Sequence, residues 1–358
     1  MKVETLPINI QLTKNSRLPQ VNWEKLPFGK MFSDHMFTMD YSNGKWSNLS
    51  ILPYGNISLS PANSALHYGQ SCFEGMKAHR NINGDIVLFR PFENAKRFNQ
   101  SNKRMCMPEI NEELFVNAIS ELLAIDHQWV PENLNQSLYI RPFIFATDPY
   151  IGIKPSENYK FMIFTCPVGA YYSDPVSVKI ETSFSRSVQG GTGSAKAAGN
   201  YAAALYPAML AAKEGFRQLI WTDAIEHKYI EEAGTMNVIF MINNVLVSPA
   251  IGDTILNGIT RKSVLEIAKD WGIEVQERKV EVEEILNALK SGSLTEAFGA
   301  GTAATIAPIS NISFNGENFL IPQSRNDHFH VRVLNYLSEY KRGEVHDKFN
   351  WLELLKLN

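Results

Sequence analysis

The sequence predicts a two-domain protein of mixed α and β structure (α/β, mixed α+β). Three observations carry that expectation. The chain has 358 residues, and a typical domain takes about 100–200. Strand-like and helix-like stretches interleave in both halves. Between Pro167 and Pro175 the hydrophobic pattern breaks, and Gly169, Ser173, Asp174 and Pro175 read as a linker. The expected division is a small N-terminal α/β domain over 1–168, an interdomain loop over 169–175 and a large C-terminal domain over 176–358.

The elements follow in order. Residues 85–89 come after the turn signal Asn83-Gly84 and read as a strand. Pro91 opens a helix through about Arg104. Asn111 can cap a second helix, with Leu114, Phe115, Ala118, Ile119, Leu122 and Leu123 at helical spacing. Residues 138–146 are extended, and their alternation puts Tyr139, Arg141, Phe143 and Phe145 on one face. Residues 161–166 form a short strand. Beyond the linker, 176–184, 218–221 and 238–247 read as strands, the last turning at Asn243-Asn244. Helices are expected at 261–271, 282–289 and 331–340. Val264, Ile267, Ala268 and Trp271 give the first an apolar face, and Gly272 stops it.

Composition narrows the function. Lys and Arg total 34 against 37 Asp and Glu, a balance without the basic footprint of a nucleic-acid binder. Cys72, Cys106 and Cys166 stand far apart and form no CxxC pair, which argues against a disulfide framework or a thiol metal site. The N-terminus has no apolar signal region, and no apolar run approaches the ~18 residues of a membrane span. The expectation is a cytoplasmic protein without metal, membrane or nucleic-acid partners.

Four glycines surround one lysine in Gly190-Gly191-Thr192-Gly193-Ser194-Ala195-Lys196-Ala197-Ala198-Gly199-Asn200-Tyr201. A Walker A loop needs Gly before the lysine and Ser or Thr after it, and Ala195 and Ala197 stand there. A dinucleotide fingerprint needs Gly where Lys196 stands. Small neighbours let a bulky ligand reach the amine, and few nearby charges suit a desolvated, nucleophilic lysine able to form a Schiff base. A lone lysine in a solvated surface loop is the ordinary alternative. Two Gly-Thr turns, Gly258-Ile259-Thr260-Arg261 and Gly299-Ala300-Gly301-Thr302-Ala303, can offer backbone N–H groups and a hydroxyl to phosphate. Either alone is equally a capped helix or turn. With Lys196 and the acids Glu231-Glu232 before a third Gly-Thr turn, they point to a phosphorylated aldehyde cofactor whose ring nitrogen needs a carboxylate. Glu231 itself reads as a solvated acid.

The ordered set of segments resembles the branched-chain amino-acid aminotransferases, class IV, fold-type IV pyridoxal-phosphate enzymes. It includes Phe28-Gly29-Lys30, Leu66-His67-Tyr68, Phe73-Glu74-Gly75-Met76-Lys77-Ala78 and Leu88-Phe89-Arg90-Pro91. The lysine loop, Glu232-Ala233-Gly234-Thr235-Met236-Asn237 and the two Gly-Thr turns complete it, and the likeness spans nearly the whole chain.

The resemblance implies roles. Lys196 would hold pyridoxal 5'-phosphate as a Schiff base and later shuttle the proton. Tyr201 would bond the cofactor's phenolic oxygen and Glu232 its pyridine nitrogen. Arg97, Ile259, Thr260 and Thr302 would hold the phosphate. The backbone at Thr302 and Ala303 would take the substrate carboxylate, with Thr235 nearby. Phe32, Tyr68, Phe73, Tyr139 and Tyr171 would form the apolar pocket, and Arg141 matches an active-site arginine of less defined role. The implied activity is transamination of L-leucine, L-isoleucine and L-valine with 2-oxoglutarate by a homodimer. A D-amino-acid aminotransferase or aminodeoxychorismate lyase of the same fold, or a non-catalytic cofactor-binding protein, are the rivals. Where some family members carry a redox-sensitive CxxC, this chain has Ala304-Thr305-Ile306-Ala307. Asp327-His328-Phe329-His330 reads as a helix cap with solvated histidines, Glu283-Glu284 as acids suited to a helix N-terminus, and Lys341-Arg342 as a basic helix end.

Overall fold

The computed structural model describes residues 7–169 and 174–355. Its contacts divide the chain into two units. One holds Met1–Tyr171 with Ala197–Gly199 and Glu339–Asn358, the other Tyr172–Lys196 with Asn200–Ser338. The C-terminal tail thus departs from the expected 176–358 domain. Leu352–Leu355 pairs antiparallel with Ile86–Phe89, and the Arg90 N–H donates to the Trp351 carbonyl at 2.7 Å. Trp351 stacks on Phe349 at 4.3 Å and meets Phe89 edge-on at 5.5 Å. Four residues of strand carry too little pattern to reveal such a partner.

The first unit is built on a mixed, mainly antiparallel sheet. Ser137–Ala146 and Tyr159–Val168 pair along their full length, from Ser137 opposite Val168 to Ala146 opposite Tyr159. Pro91–Arg104 and Glu112–Ile125 pack on it. Phe98 meets Phe115 at 5.4 Å and Phe161 of the sheet at 5.5 Å, all three fully buried. Pro91 sits in the first turn of its helix, where its missing N–H costs nothing. Asn111 accepts the Leu114 N–H at 3.0 Å, the expected cap. The long hairpin keeps the predicted face, with Phe143 stacked on Phe145 at 5.7 Å.

In the second unit the sheet closes on itself. Ile230–Ala233 pairs on one side with Gln218–Thr222 and on the other with Met236–Ile242. Between them run Val176–Ile180, Thr305–Phe314 and Leu294–Gly301. Every residue of Met236–Ile242 is buried, so this strand reads as a continuous apolar run rather than an alternation. Asn243 and Asn244 both adopt positive φ, 50° and 63°, as a two-residue hairpin turn requires. The helices Ile259–Asp270 and Val282–Ser291 are followed by Gly272 and Gly292 at φ 73° and 74°.

Some elements had no clear signal. Lys45–Pro53, Leu294–Gly301 and Thr305–Phe314 are strands that carry several Ser, Asn or Gly residues, and His35–Ser42 mixes its apolar residues with Thr, Asp and Ser. Ala198–Lys213 is a helix despite Gly199, Asn200 and Pro207. One surface reading needs correction. His328 and His330 are buried, not solvated, and the helix Phe329–Lys341 is capped from a distance. Glu296 accepts the N–H groups of Phe329 and His330, each at 2.9 Å, while Asp327 pairs with Arg325. Lys341 stands in the last turn of this helix, as the basic helix end expected; it also lies over the Phe89 ring at 5.0 Å, and burial followed by the nearby Lys77 charge lowers its pKa to about 7. Among the described residues, no helix is long and apolar enough to cross a membrane.

Two outcomes follow from this packing. Phe240 is fully buried between Ala297 and Val247 on the neighbouring strands. Phe240→Ala leaves a cavity and is expected to cost about 3–5 kcal/mol in chemical denaturation. Burial raises the Glu296 carboxyl, but the His330 ring and the His330 and Phe329 N–H groups outweigh it and hold it below the usual 4.5. A carboxyl held low stabilises the fold above its unfolded pKa and loses that contribution as pH falls through its folded one. The melting-temperature gap between the wild type and Glu296→Gln should therefore narrow as pH drops below about 4.5; a constant gap would contradict this.

Candidate active site

The lysine loop is tied down at several points. The Ser194 N–H donates to the Asp253 carbonyl at 2.8 Å. Asn200, in the first turn of Ala198–Lys213, donates to the carbonyls of Thr192 and Ala195 at 2.7 and 2.9 Å and accepts the Thr192 hydroxyl at 2.7 Å. Gly193 is pressed against Ser187 and the Thr254 carbonyl, where a Cβ would lie 2.1 Å from the Ser187 hydroxyl oxygen. The glycine is there for close approach, not for flexibility. The loop delivers the Lys196 Nζ 3.0 Å from the Tyr201 hydroxyl, to which it donates. Five residues apart, one on the loop and one on the helix after it, the two side chains meet.

Glu232 lies on the strand that closes the second unit's sheet, and it is buried. Its Oε1 accepts the Leu256 N–H at 2.7 Å. Its Oε2 lies 3.3 Å from the Arg186 Nε, an ion contact without hydrogen-bond alignment. Arg186 in turn donates to the carbonyls of Gly193, at 3.3 Å, and Thr254. The guanidinium thus joins the carboxylate to the lysine loop. Glu231 needs correction: it is buried, and burial, only partly offset by the Thr254 hydroxyl, raises its pKa.

Sheet register sets the two Gly-Thr turns beside this carboxylate. Glu232 is opposite Asn237, and Asn237 is opposite Ala300. The Gly234-Thr235 tip and the Thr302-Ala303 turn are therefore neighbours, and Gly301 packs on Met236, where a Cβ would meet its Cγ at 3.2 Å. The Asn237 amide donates to the Leu256 carbonyl at 2.8 Å, and its Oδ1 sits where a Gly258 Cβ would go. Gly258 is the N-cap of Ile259–Asp270. It makes no side-chain cap, and no acid stands in the first turn. Such a helix start favours an anion at Ile259 and Thr260. Arg261 turns away from it, fully buried on Ser248, Pro249 and Glu277.

The first unit gathers most of its own candidates. Phe32 packs with Tyr139, Cys166 and Val168. The Arg141 guanidinium lies over the Phe73 ring at 4.5 Å and donates to the Tyr139 hydroxyl at 3.0 Å. Gly75 admits that hydroxyl, which would lie 2.1 Å from a Cβ. Arg97 is buried and bidentate on Glu74, at 2.7 and 2.9 Å. Tyr68 stands apart from this cluster, half-exposed at the end of the short helix Ser64–Tyr68. Tyr171 lies outside the described residues.

Sequence reading missed Arg186, Asn200, Asn237 and the segment 253–256. Asn200 and Asn237 lie inside the quoted motifs, but their partners are backbone groups that no spacing rule specifies. Arg186 sits in a stretch without pattern. Glu296, His328 and His330 have the composition of a metal site, with ligand atoms within 4.8 Å. The His330 ring is already held by Glu296 at 2.7 Å and Ser324 at 2.8 Å, so the group is a helix-capping network.

The chain is similar to known proteins along most of its length. Residues 71–312 match the family of class IV amino-transferases. The chain is 43 % identical over 348 residues to branched-chain-amino-acid aminotransferase 2 of Bacillus subtilis, covering 96 % of each chain. It is 41 % identical to the branched-chain-amino-acid aminotransferase of Mycolicibacterium smegmatis, covering 92 % of each. Among solved structures it resembles the Escherichia coli branched-chain amino acid aminotransferase, with a TM-score of 0.74 and 26 % identity over 91 % of this chain and 99 % of that one. It shares its fold with the branched-chain amino acid aminotransferase from Thermobaculum terrenum in its PLP form, at a TM-score of 0.73 and 20 % identity over 91 % and 100 %. A lysine presented by a glycine loop, a buried carboxylate and two Gly-Thr turns on one closed sheet, together with these matches, make the chain a member of the class IV aminotransferase family.

Proposed function

We propose that this enzyme transfers the amino group of L-leucine, L-isoleucine and L-valine to 2-oxoglutarate, with pyridoxal 5'-phosphate as cofactor. The observation that carries this reading is the Lys196 amine 3.0 Å from Tyr201, in the unit that also buries Glu232 against Arg186. The second unit's residues fit the cofactor: an amine for its aldehyde carbon, an uncapped helix start for its phosphate and a buried acid for its ring nitrogen.

When bound, the cofactor supplies an electron-poor ring that takes up charge from the substrate's α-carbon. The protein does the rest. Glu232, with the Arg186 guanidinium 3.3 Å away, would face the ring nitrogen and favour its protonated form. Tyr201 holds the phenolic oxygen. Lys196 would hold the aldehyde carbon and would supply the amine that moves the proton between the substrate's α-carbon and that carbon. The N–H groups at Ile259 and Thr260, with Thr302, hold the phosphate, and the Thr302-Ala303 backbone with Thr235 takes the substrate carboxylate. In the first unit, Phe32, Phe73 and Tyr139 offer apolar rings suited to branched aliphatic side chains. One methylene in such a pocket is worth only about 1–3 kcal/mol, so all three substrates are accepted.

A homodimer and a cytoplasmic location belong to the same proposal. Ala198–Lys213 leaves Leu205, Tyr206 and Met209 exposed, and the loop around Gly152 leaves Tyr150, Ile151 and Ile153 exposed, Ile153 at 95 %. Clustered apolar groups of this kind suit an interface, and a second copy is the partner the family likeness implies. Three free thiols suit a reducing compartment.

Adding L-leucine to the holoenzyme should shift the visible cofactor band to the near-ultraviolet, and 2-oxoglutarate should restore it. D-alanine and aminodeoxychorismate should not do the work of L-leucine; preference for either overturns the substrate assignment. Lys196→Ala should lose the covalent cofactor band and at least about 10³-fold in turnover. The double variant Ile151→Glu, Ile153→Glu should weaken self-association at least about tenfold by sedimentation, because each buried Ile contributes ~1.5–3 kcal/mol.

A further inference from the structure

Arg261 is only 2 % exposed, and it stands in the first turn of Ile259–Asp270, directly after Thr260. The proposed reaction does not use its side chain. A cation in a first turn runs against the helix dipole, which favours an anion at that end. Burying a guanidinium is also costly unless its donors are matched. The geometry shows what offsets both costs.

The guanidinium spans two strands. Val245–Pro249 and Val275–Arg278 are parallel neighbours, with Ser248 opposite Glu277. The Arg261 Nε donates to the Ser248 hydroxyl at 2.8 Å. Its Nη2 donates to the Pro249 carbonyl at 3.0 Å and to the Glu277 carboxylate at 2.9 Å. A planar fork with fixed donors reaches all three at once, which a single ammonium on a flexible stem does not. The same helix start is also held by Asn237 on Met236–Ile242. Its Oδ1 sits against Gly258, and its amide donates to the Leu256 carbonyl at 2.8 Å. Met236–Ile242 pairs in turn with Val245–Pro249. The first turn is therefore tied to three consecutive strands of one sheet.

We propose that Arg261 is a positioning residue for phosphate binding: its side chain never touches the phosphate, but by gripping the two strands it fixes where the N–H groups of Ile259 and Thr260 point. The proposal rests on the reading of this helix start as the cofactor's phosphate site. The N–H groups of a first turn have no acceptor within the helix, and a bond from them to an anion depends steeply on distance and angle. Losing one hydrogen bond to a charged group costs roughly tenfold or more in affinity. The fork, not the charge alone, does the positioning, so lysine is no substitute for arginine here.

The test is equilibrium titration of the full-length enzyme, stripped of cofactor, with pyridoxal 5'-phosphate and with pyridoxal, followed by the absorbance of the Schiff base. Pyridoxal has the same ring and aldehyde and no phosphate, so the ratio of the two dissociation constants reads the phosphate's share of binding. In Arg261→Lys the affinity for pyridoxal 5'-phosphate should fall at least about tenfold while that for pyridoxal is unchanged. Glu277→Ala, which removes one acceptor of the fork from an exposed side chain, should do the same to a smaller degree. Unchanged affinity for pyridoxal 5'-phosphate in Arg261→Lys, or an equal fall for both compounds, overturns the proposal. Should Arg261→Lys fail to fold by circular dichroism, Glu277→Ala decides by the same two outcomes. A wild type that binds pyridoxal as tightly as pyridoxal 5'-phosphate overturns the phosphate-site reading itself, and the proposal with it.

Discussion

The short segment from Asp253 to Gly258 is the piece on which the candidate site depends. Its carbonyls at 253 and 254 hold the lysine loop through Ser194, Ser187 and Arg186. Its Leu256 amide holds Glu232, and its Leu256 carbonyl is held by Asn237. It ends at Gly258, where the helix Ile259–Asp270 begins with unclaimed capping capacity. Each of these is a bond to backbone. The site is therefore positioned largely by the course of the chain.

Burying Glu232 is expensive unless the charge is matched, and Arg186 matches it. The pairing has a chemical consequence as well as a structural one. A permanent cation beside a carboxylate favours its charged form, the form that the proposed contact with a ring nitrogen calls for. The same guanidinium reaches Gly193 on the lysine loop. One side chain that belongs to none of the recognised motifs thus touches both the carboxylate and the loop.

Backbone economy recurs at the glycines. Gly193 and Gly258 adopt ordinary dihedral angles, and both are glycine because another group occupies the place of a side chain. Gly75 does the same for the Tyr139 hydroxyl in the first unit. Around Lys196 the glycines differ in their reasons: Gly193 packs against Ser187 and the Thr254 carbonyl, Gly191 against Val188, and Gly190 adopts φ +75°.

The sequence by itself determined the class of fold, the helices with caps and stops, and the chemical inventory. Pro91, Asn111 and Gly272 act locally, within one turn of the elements they punctuate, so their meaning survives without tertiary context. The motifs around Lys196, Glu232, Gly258 and Thr302 were legible for the same reason, since each is a compact run. Only the tertiary structure decided what depends on long-range pairing. The tail at Leu352–Leu355 joins the first unit through the strand Ile86–Phe89, far away in sequence. Glu231 and Glu232 are neighbours that a strand sends to opposite faces, one into a cavity and one toward a guanidinium, and His330 is buried by a carboxylate from Leu294–Gly301. Burial and partner choice are properties of register, and register is set by the whole sheet rather than by any residue's neighbours in sequence.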